Sequence, residues 1–300
     1  MGSGIVSGAK LIAAGKSYRA LFMKYLEGDA SAALALVSLL SMEVQSKGKE
    51  EVLNWLGDVP GMQEWTGDRV LQRLRDTDFA IRNKKWANGI VVDVDDIEDD
   101  NLGVVKPRIL MLADKAGLHM RNLLIDLIKN GATGLCYDGK YFFAADHEEN
   151  KSGVQSNKHN LALSAANFRT VYAGMLELKN DQGENMGVTP THLWCNTTLQ
   201  STAEEICFAE RDSNGKTNVD KGKVKPLVFP SLGSTTMWGL ADLSKPYKPL
   251  IKQMRRKVRF RAQDNPEADS VFMRDEARFG ADYRGNAGYG LWQLMALGKA

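Results

Sequence analysis

The sequence predicts an α+β protein of more than one lobe, on three observations. Apolar residues recur every three or four positions between Pro107 and Asn130, a mixed stretch of helix and strand patterns follows, and beyond Pro249 the period drops to two, so the chain should end in sheet. At 300 residues the chain exceeds the size at which one core usually grows. Its 43% hydrophobic and 25% charged residues are those of a folded protein rather than a disordered one.

Residues 1–49 are rich in small side chains, with helical spacing in Ala20, Leu21 and Tyr25 and again in Leu34, Leu36, Leu39 and Leu40, and read as an arm with helical patches. Between Glu51 and Asp100, Trp55, Trp65 and Trp86 stand among glycines and charges, with Pro60-Gly61 as a turn signal. Residues 79–85 and 90–95 flank Asn88-Gly89, the dipeptide most favoured in a tight hairpin, which predicts a ribbon with arms about 25 Å long. A two-stranded ribbon is marginal alone. Ribbon and arm are therefore expected to shelter against another subunit rather than their own body.

In the long helix, Ile109, Leu112, Ala116, Met120, Leu123, Leu124, Leu127 and Ile128 share a face, with Pro107 at the start and Gly131 after the end. Such a helix measures about 36 Å and reads as a spine. Further on, Ser164 should cap a helix that turns Phe168, Val171, Tyr172 and Met175 to one side. A strand over 191–195 precedes a second cap at Asn196, for a helix containing Leu199, Ala203 and Ile206, and a polar loop over 211–223 follows. These elements predict an α/β lobe. After Pro249, Met254, Val258, Phe260 and Ala262 alternate with Arg255, Lys257, Arg259 and Arg261, giving one apolar and one basic face. Strand patterns over 271–279 and 289–297 are joined by Gly285-Asn286-Ala287-Gly288, read as a turn.

The search for chemistry yields little. A charge of +2, from 39 basic and 37 acidic residues, is weak for a protein whose main task is neutralising phosphates and suits one that packs against many copies of itself. Three cysteines, Cys136, Cys195 and Cys207, cannot all pair and form no C-x-x-C, so buried thiols are expected. Lys115, Arg121 and Asp126 interrupt the longest apolar helix, which argues against a membrane span, and Met1 to Lys16 lacks the pattern of a secretion signal, which points to the cytosol.

The acidic run Asp93, Asp95, Asp96, Glu98, Asp99 and Asp100 is a candidate metal site, but it lacks the glycine and glutamate of a calcium loop. A solvated turn ahead of the spine helix is the plainer reading. Cys136, Asp146 and His147 invite a thiol-nucleophile reading against one of simple packing. Gly285, Gly288 and Gly290 reverse the dinucleotide fingerprint and sit between strands. The basic stripe Arg255, Lys257, Arg259 and Arg261 suits either nucleic acid or the carboxylates of a neighbour.

Several segments in one order carry a resemblance: Asn54-Trp-Leu-Gly-Asp-Val-Pro-Gly61, Glu64-Trp-Thr-Gly-Asp-Arg69, Asp96-Ile-Glu-Asp-Asp100, and Leu135-Cys-Tyr-Asp-Gly-Lys-Tyr-Phe-Phe143 followed by Asp146-His147. With Val271-Phe-Met-Arg-Asp-Glu276 and Gly285-Asn-Ala-Gly-Tyr-Gly-Leu-Trp-Gln293, they resemble the major head (capsid) subunit of Mu-like tailed phages, from about residue 50 to the end.

The resemblance implies the Hong Kong 97-type capsid fold. Residues 1–49 would be the N-terminal arm and 50–101 the extended loop region with its hairpin. Residues 102–150 would be the peripheral domain with the spine helix, 151–250 the axial domain, and 251–300 the peripheral sheet and C-terminus. It implies a non-enzymatic subunit without cofactor or metal that self-assembles into hexamers and pentamers of an icosahedral head around double-stranded DNA, in the host cytoplasm. Expected partners are further copies, a scaffolding protein, a portal and a decoration protein; the DNA contact is weak and independent of sequence, and no membrane is involved. No long scaffolding segment precedes the arm, so scaffolding is expected from another chain. Trp55, Trp65, Arg69 and Trp86 are candidate inter-subunit contacts, because aromatics and arginine dominate interface hot spots. Two alternatives stand beside this reading: an encapsulin-like cellular compartment of the same fold, and a metal-dependent hydrolase using Asp93 to Asp100.

Overall fold

A computed structural model describes residues 8–28, 31–53, 79–98, 102–211, 215–233 and 236–299. The chain opens with helices α1 (Gly8–Glu27) and α2 (Ser31–Leu40), then strands β1 (Ser41–Gln45), β2 (Glu50–Val52), β3 (Ala80–Arg82) and β4 (Lys84–Asp93). Helices α3 (Val94–Glu98) and α4 (Leu102–Lys129) follow, with short strands β5 (His147–Glu148), β6 (Val154–Gln155) and β7 (Lys158–His159). Next come α5 (Ala165–Leu176), β8 (His192–Cys195), α6 (Gln200–Phe208), β9 (Lys225–Val228) and β10 (Met237–Ala241). Two long strands, β11 (Leu250–Gln263) and β12 (Glu276–Tyr289), flank the short α7 (Asp269–Arg274), and β13 (Met295–Lys299) ends the chain.

Among the described residues these elements form two larger sheets and two two-stranded ribbons, β2-β3 and β5-β6. One larger sheet has four strands in the order β1-β11-β12-β4, the other five in the order β7-β13-β10-β8-β9. Helices α1 and α4 lie on the four-stranded sheet, while α5 and α6 pack on the five-stranded one. The last strand leaves the long sheet: β13 pairs with β10 and β7. The expectation that 251–300 lies wholly with the long sheet therefore fails at its end, because Met295, Ala296 and Leu297 are fully apolar and complete the buried core of the other lobe.

Helix α4 is the predicted spine, but it begins at Leu102, so Pro107 lies inside it. Its 28 residues measure about 42 Å. A proline this close to the start removes only the one hydrogen bond its N–H would have made to Gly103, and three further turns of buried Ile109, Leu112, Ala116 and Met120 outweigh that loss. Ser164 caps α5, its hydroxyl accepting from the Asn167 N–H at 3.2 Å. Asn196 caps the turn before α6 in the same way, accepting from the Leu199 N–H at 3.2 Å.

Four expectations are corrected. Asn88-Gly89 is not a hairpin turn: β4 runs straight through it, and Asn88 and Gly89 pair with Ala281 and Gly280 of β12. The local turn preference loses to a distant partner, because Trp86, Ile90 and Val92 continue the apolar face made by Tyr283, Phe279 and Ala277. A ribbon does exist, but it joins β2 to β3, and the residues linking them, 54–78, lie outside the described residues.

Gly285-Asn286-Ala287-Gly288 likewise lies within β12, paired to β11, and residues 271–274 of the supposed strand belong to α7. A side chain at Gly288 would collide with Ile81, so the glycine serves close packing rather than a turn. Finally, the first helix is not an arm awaiting a neighbour. Leu11, Tyr18, Phe22 and Leu26 are buried on the chain's own sheet, with Tyr18 edge-on to Phe279 at 5.3 Å and Phe22 beside Phe260 at 5.3 Å. Strand β1 also joins that sheet, parallel to β11. The buried face is one position away from the Ala20, Leu21, Tyr25 set, because the aromatic rings at 18 and 22 carry more apolar area than the alanine and leucine.

Candidate functional site: assembly surfaces

The long sheet has two unlike faces. Along β12, Ala277, Phe279, Ala281 and Tyr283 are buried toward the helices, while Glu276, Arg278, Asp282 and Arg284 alternate with them on the part-exposed side. Asp282 gathers the arginines of β11. It accepts from Arg256 at 2.6 Å and from Arg259 at 2.6 and 3.0 Å, and Arg261 lies at 3.7 Å. The Arg259 hydrogen bonds, with Arg256 and Arg261 nearby, hold the Asp282 carboxyl below the usual carboxylate range.

This geometry corrects the predicted basic stripe. Register shifts between Met254 and Arg256 and between Arg256 and Arg259 break the alternation of β11. Arg259 and Arg261 meet Asp282, Arg255 instead donates to the Ser46 carbonyl at 3.1 Å, and Lys257 lines a cleft with Met23, Leu26 and Val258. Arg256 and Asp282, which sequence reading passed over, are the centre of the cluster. Only the pairing of β11 with β12 brings them together.

Trp86 is half-buried and held from within its own chain. Its indole N–H donates to the Gly285 carbonyl at 3.0 Å, its ring lies 4.5 Å from that of His119, and the Lys84 ammonium sits 5.9 Å from its centre. Trp55, Trp65 and Arg69 lie outside the described residues.

A fold of this kind, with one enclosed sheet, one part-covered sheet and a spine helix, acquires its meaning from the sequence match. Residues 15–162, 157–232 and 229–300 match the family model described as the Mu-like prophage major head subunit gpT. The chain belongs to that family. It is 30% identical over 251 residues to the Mu-like prophage FluMu major head subunit of Haemophilus influenzae, covering 84% of this chain and 62% of that one. The chain thus spans less than two thirds of that relative. To the major capsid protein of Escherichia phage Mu it is 29% identical, over 98% of this chain and 75% of that one. A chain of the bacteriophage JBD30 procapsid superposes with a TM-score of 0.61 at 26% identity, over 97% of this chain and 75% of that one. The fold is the Hong Kong 97-type fold of phage capsid proteins.

The residues suspected of chemistry take structural places in this head-subunit fold. Asp93 ends β4, and Asp95 and Asp96 lie in α3. Among the described residues no group of three or more His, Cys, Asp or Glu is placed to hold a metal. Cys136 is buried, which pushes its thiol well above the usual range, and it leans on the Gly290 carbonyl at 3.6 Å. Asp146 pairs with Lys140 at 2.6 Å on the surface.

His147 is engaged elsewhere. Its Nδ1 lies 2.5 Å from Asp138, its Nε2 lies 3.2 Å from Asn157, and its ring stacks flat on Trp292 at 3.9 Å. Beside it the buried Glu149 accepts from Tyr137 at 2.8 Å and Trp292 at 2.8 Å. This buried network ties Tyr137, His147, Glu149 and Asn157 to the C-terminal segment at Trp292. Among the described residues no helix is long and apolar enough to cross a membrane.

Proposed function

We propose that this chain is the shell-forming subunit of a tailed-phage head, assembling into hexamers and pentamers of an icosahedral capsid around double-stranded DNA. The carrying observation is family membership across nearly the whole described chain, together with the capsid fold. The physics agrees: a sheet covered on one face only, in a chain of charge +2, suits a subunit whose remaining surface is met by further copies rather than by a ligand. Both sequence relatives are phage head subunits, so the encapsulin-like alternative is not favoured.

In this reading residues 102–150 and the β11–β12 sheet form the peripheral part and 151–250 the axial part, while the extended-loop region, 50–101, carries the candidate inter-subunit contacts Trp55, Trp65 and Arg69. Trp86 supports those contacts from the sheet. Scaffold, portal and decoration proteins are the expected partners, the virion is the location, and the host cytoplasm the place of assembly. The arginines around Asp282 offer a weak, sequence-independent DNA contact, since one of their three charges is already neutralised by that carboxylate. We read no catalytic role, and replacing Asp95 and Asp99 should leave assembly intact.

The test is assembly of the purified chain, alone and with a scaffolding protein, followed by electron microscopy. Closed shells of uniform diameter with rings of five and six are expected; a chain that stays monomeric under every condition overturns the reading. Trp65→Ala should give soluble subunits that do not close, and normal particles from that variant would remove Trp65 as an anchor.

A further inference from the structure

Two surfaces of the long sheet remain unsatisfied among the described residues. The first is the tip of the β11–β12 hairpin. Helix α7 turns Ser270 and Val271 inward but leaves Phe272 80% and Met273 68% exposed. Around them Glu267, Asp269 and Asp275 are exposed carboxylates with one exposed base, Arg274, and none of these four makes an ion pair among the described residues. A bulky apolar pair at a projecting tip costs solubility unless another surface receives it.

The second lies along β4. This strand is an edge of its sheet, paired among the described residues only to β12, and none of these covers its outer row of backbone groups. Between that edge and α4 runs a groove lined by Asn88, Ile90, Val91, Arg108, Met111, Leu112 and Lys115. Met111 is 65% and Val91 49% exposed, and Arg108 and Lys115 stand exposed at the rim without an ion pair among the described residues. The nearest carboxylates on the same elements, Asp93 and Asp114, are outside the lining.

Resting on the shell reading above, we infer that the α7 tip of one subunit seats Phe272 and Met273 in the α4–β4 groove of a second copy, with Glu267 and Asp269 facing Arg108 and Lys115. Apolar meets apolar and acid meets base, so the two surfaces complement each other while neither complements itself. A contact between unlike patches is heterologous: each subunit gives one tip and receives one, and such contacts run on until a ring closes. A tip that packed only on other tips would bring like charges together, which opposes that arrangement.

The test joins the two surfaces chemically. Cys136, Cys195 and Cys207 are buried, so a bis-maleimide would select introduced cysteines. In shells carrying both Phe272→Cys and Met111→Cys, treatment should give covalent multimers on a denaturing gel, whereas Phe272→Cys alone should give none. Intact shells with no cross-link in the double variant, or cross-linked dimers from Phe272→Cys alone, overturn the inference and leave the shell reading standing. Failure of the unmodified chain to form any shell overturns both.

A charge exchange checks the same contact without a reagent. Asp269→Lys should lower assembly yield about tenfold, the equivalent of one lost contact of about 1.4 kcal/mol. Adding Lys115→Glu should restore it; no restoration counts against the pairing.

Discussion

The five-stranded and four-stranded sheets solve the same problem to different degrees. In the five-stranded lobe every residue of β10 is buried, and Trp194, Trp238 and Trp292 are completely enclosed. Many of its enclosed polar groups are partnered, although the Trp194 indole N–H has no partner among the described residues: the Asn157 side-chain amide alone donates to the carbonyls of Phe142, Trp292 and Met295. The four-stranded sheet buries one face under α1 and α4 and leaves the other to arginines and carboxylates, with β1 and β4 as edge strands among the described residues. One lobe is finished by its own chain. The other is a layer built to be completed by neighbours, and its stability inside a single subunit is correspondingly electrostatic at the surface.

The contrast can be broken most directly in the enclosed lobe. Trp292→Ala removes the ring stacked on His147 and the donor to Glu149, and should destabilise the subunit by about 4 kcal/mol in urea unfolding. A loss below about 1 kcal/mol would show that this lobe is not the rigid one.

On the open face Asp282→Asn should cost about 1–2 kcal/mol at neutral pH, and less at high salt. Because the folded Asp282 carboxyl lies below its unfolded value, its contribution is present above about pH 4 and vanishes as pH falls through the folded value. The difference between wild type and variant should therefore shrink in acid, and a difference that grows there would contradict the assignment. Ser164→Ala should cost about 1 kcal/mol through the lost cap of α5, read as a lower thermal midpoint. Smallest of all, Asp146→Ala should leave the unfolding midpoint unchanged, since its pairing with Lys140 is well exposed.

The same contrast governs what could be read in the residues. Helix α5 and the turn before α6 were visible because Ser164 and Asn196 act on amides three residues away, and α4 because its apolar spacing repeats along one face. Glycine misled in β4 and in β12. Asn88-Gly89 and Gly285 to Gly288 have strong turn preferences, yet Gly89 faces Gly280 across the ladder and Gly288 fits beneath Ile81. A missing side chain serves a turn and a close approach equally well, and only the distant partner distinguishes them. The cluster at Asp282 was hidden for a related reason: its arginines share a site only after two bulges shift the register of β11.

Local spacing and capping, set by residues within a turn or two of each other, were enough to determine the spine helix, the helices of the α/β lobe and the sheet-forming end of the chain. Tertiary structure alone decided that β4 is an edge strand, that the first helix docks on its own subunit, and that the last strand crosses to the other sheet. Trp86 and Gly285, 199 residues apart, share a hydrogen bond. Pairings at that separation depend on loop closure and on the whole apolar surface available, which no short window of sequence contains.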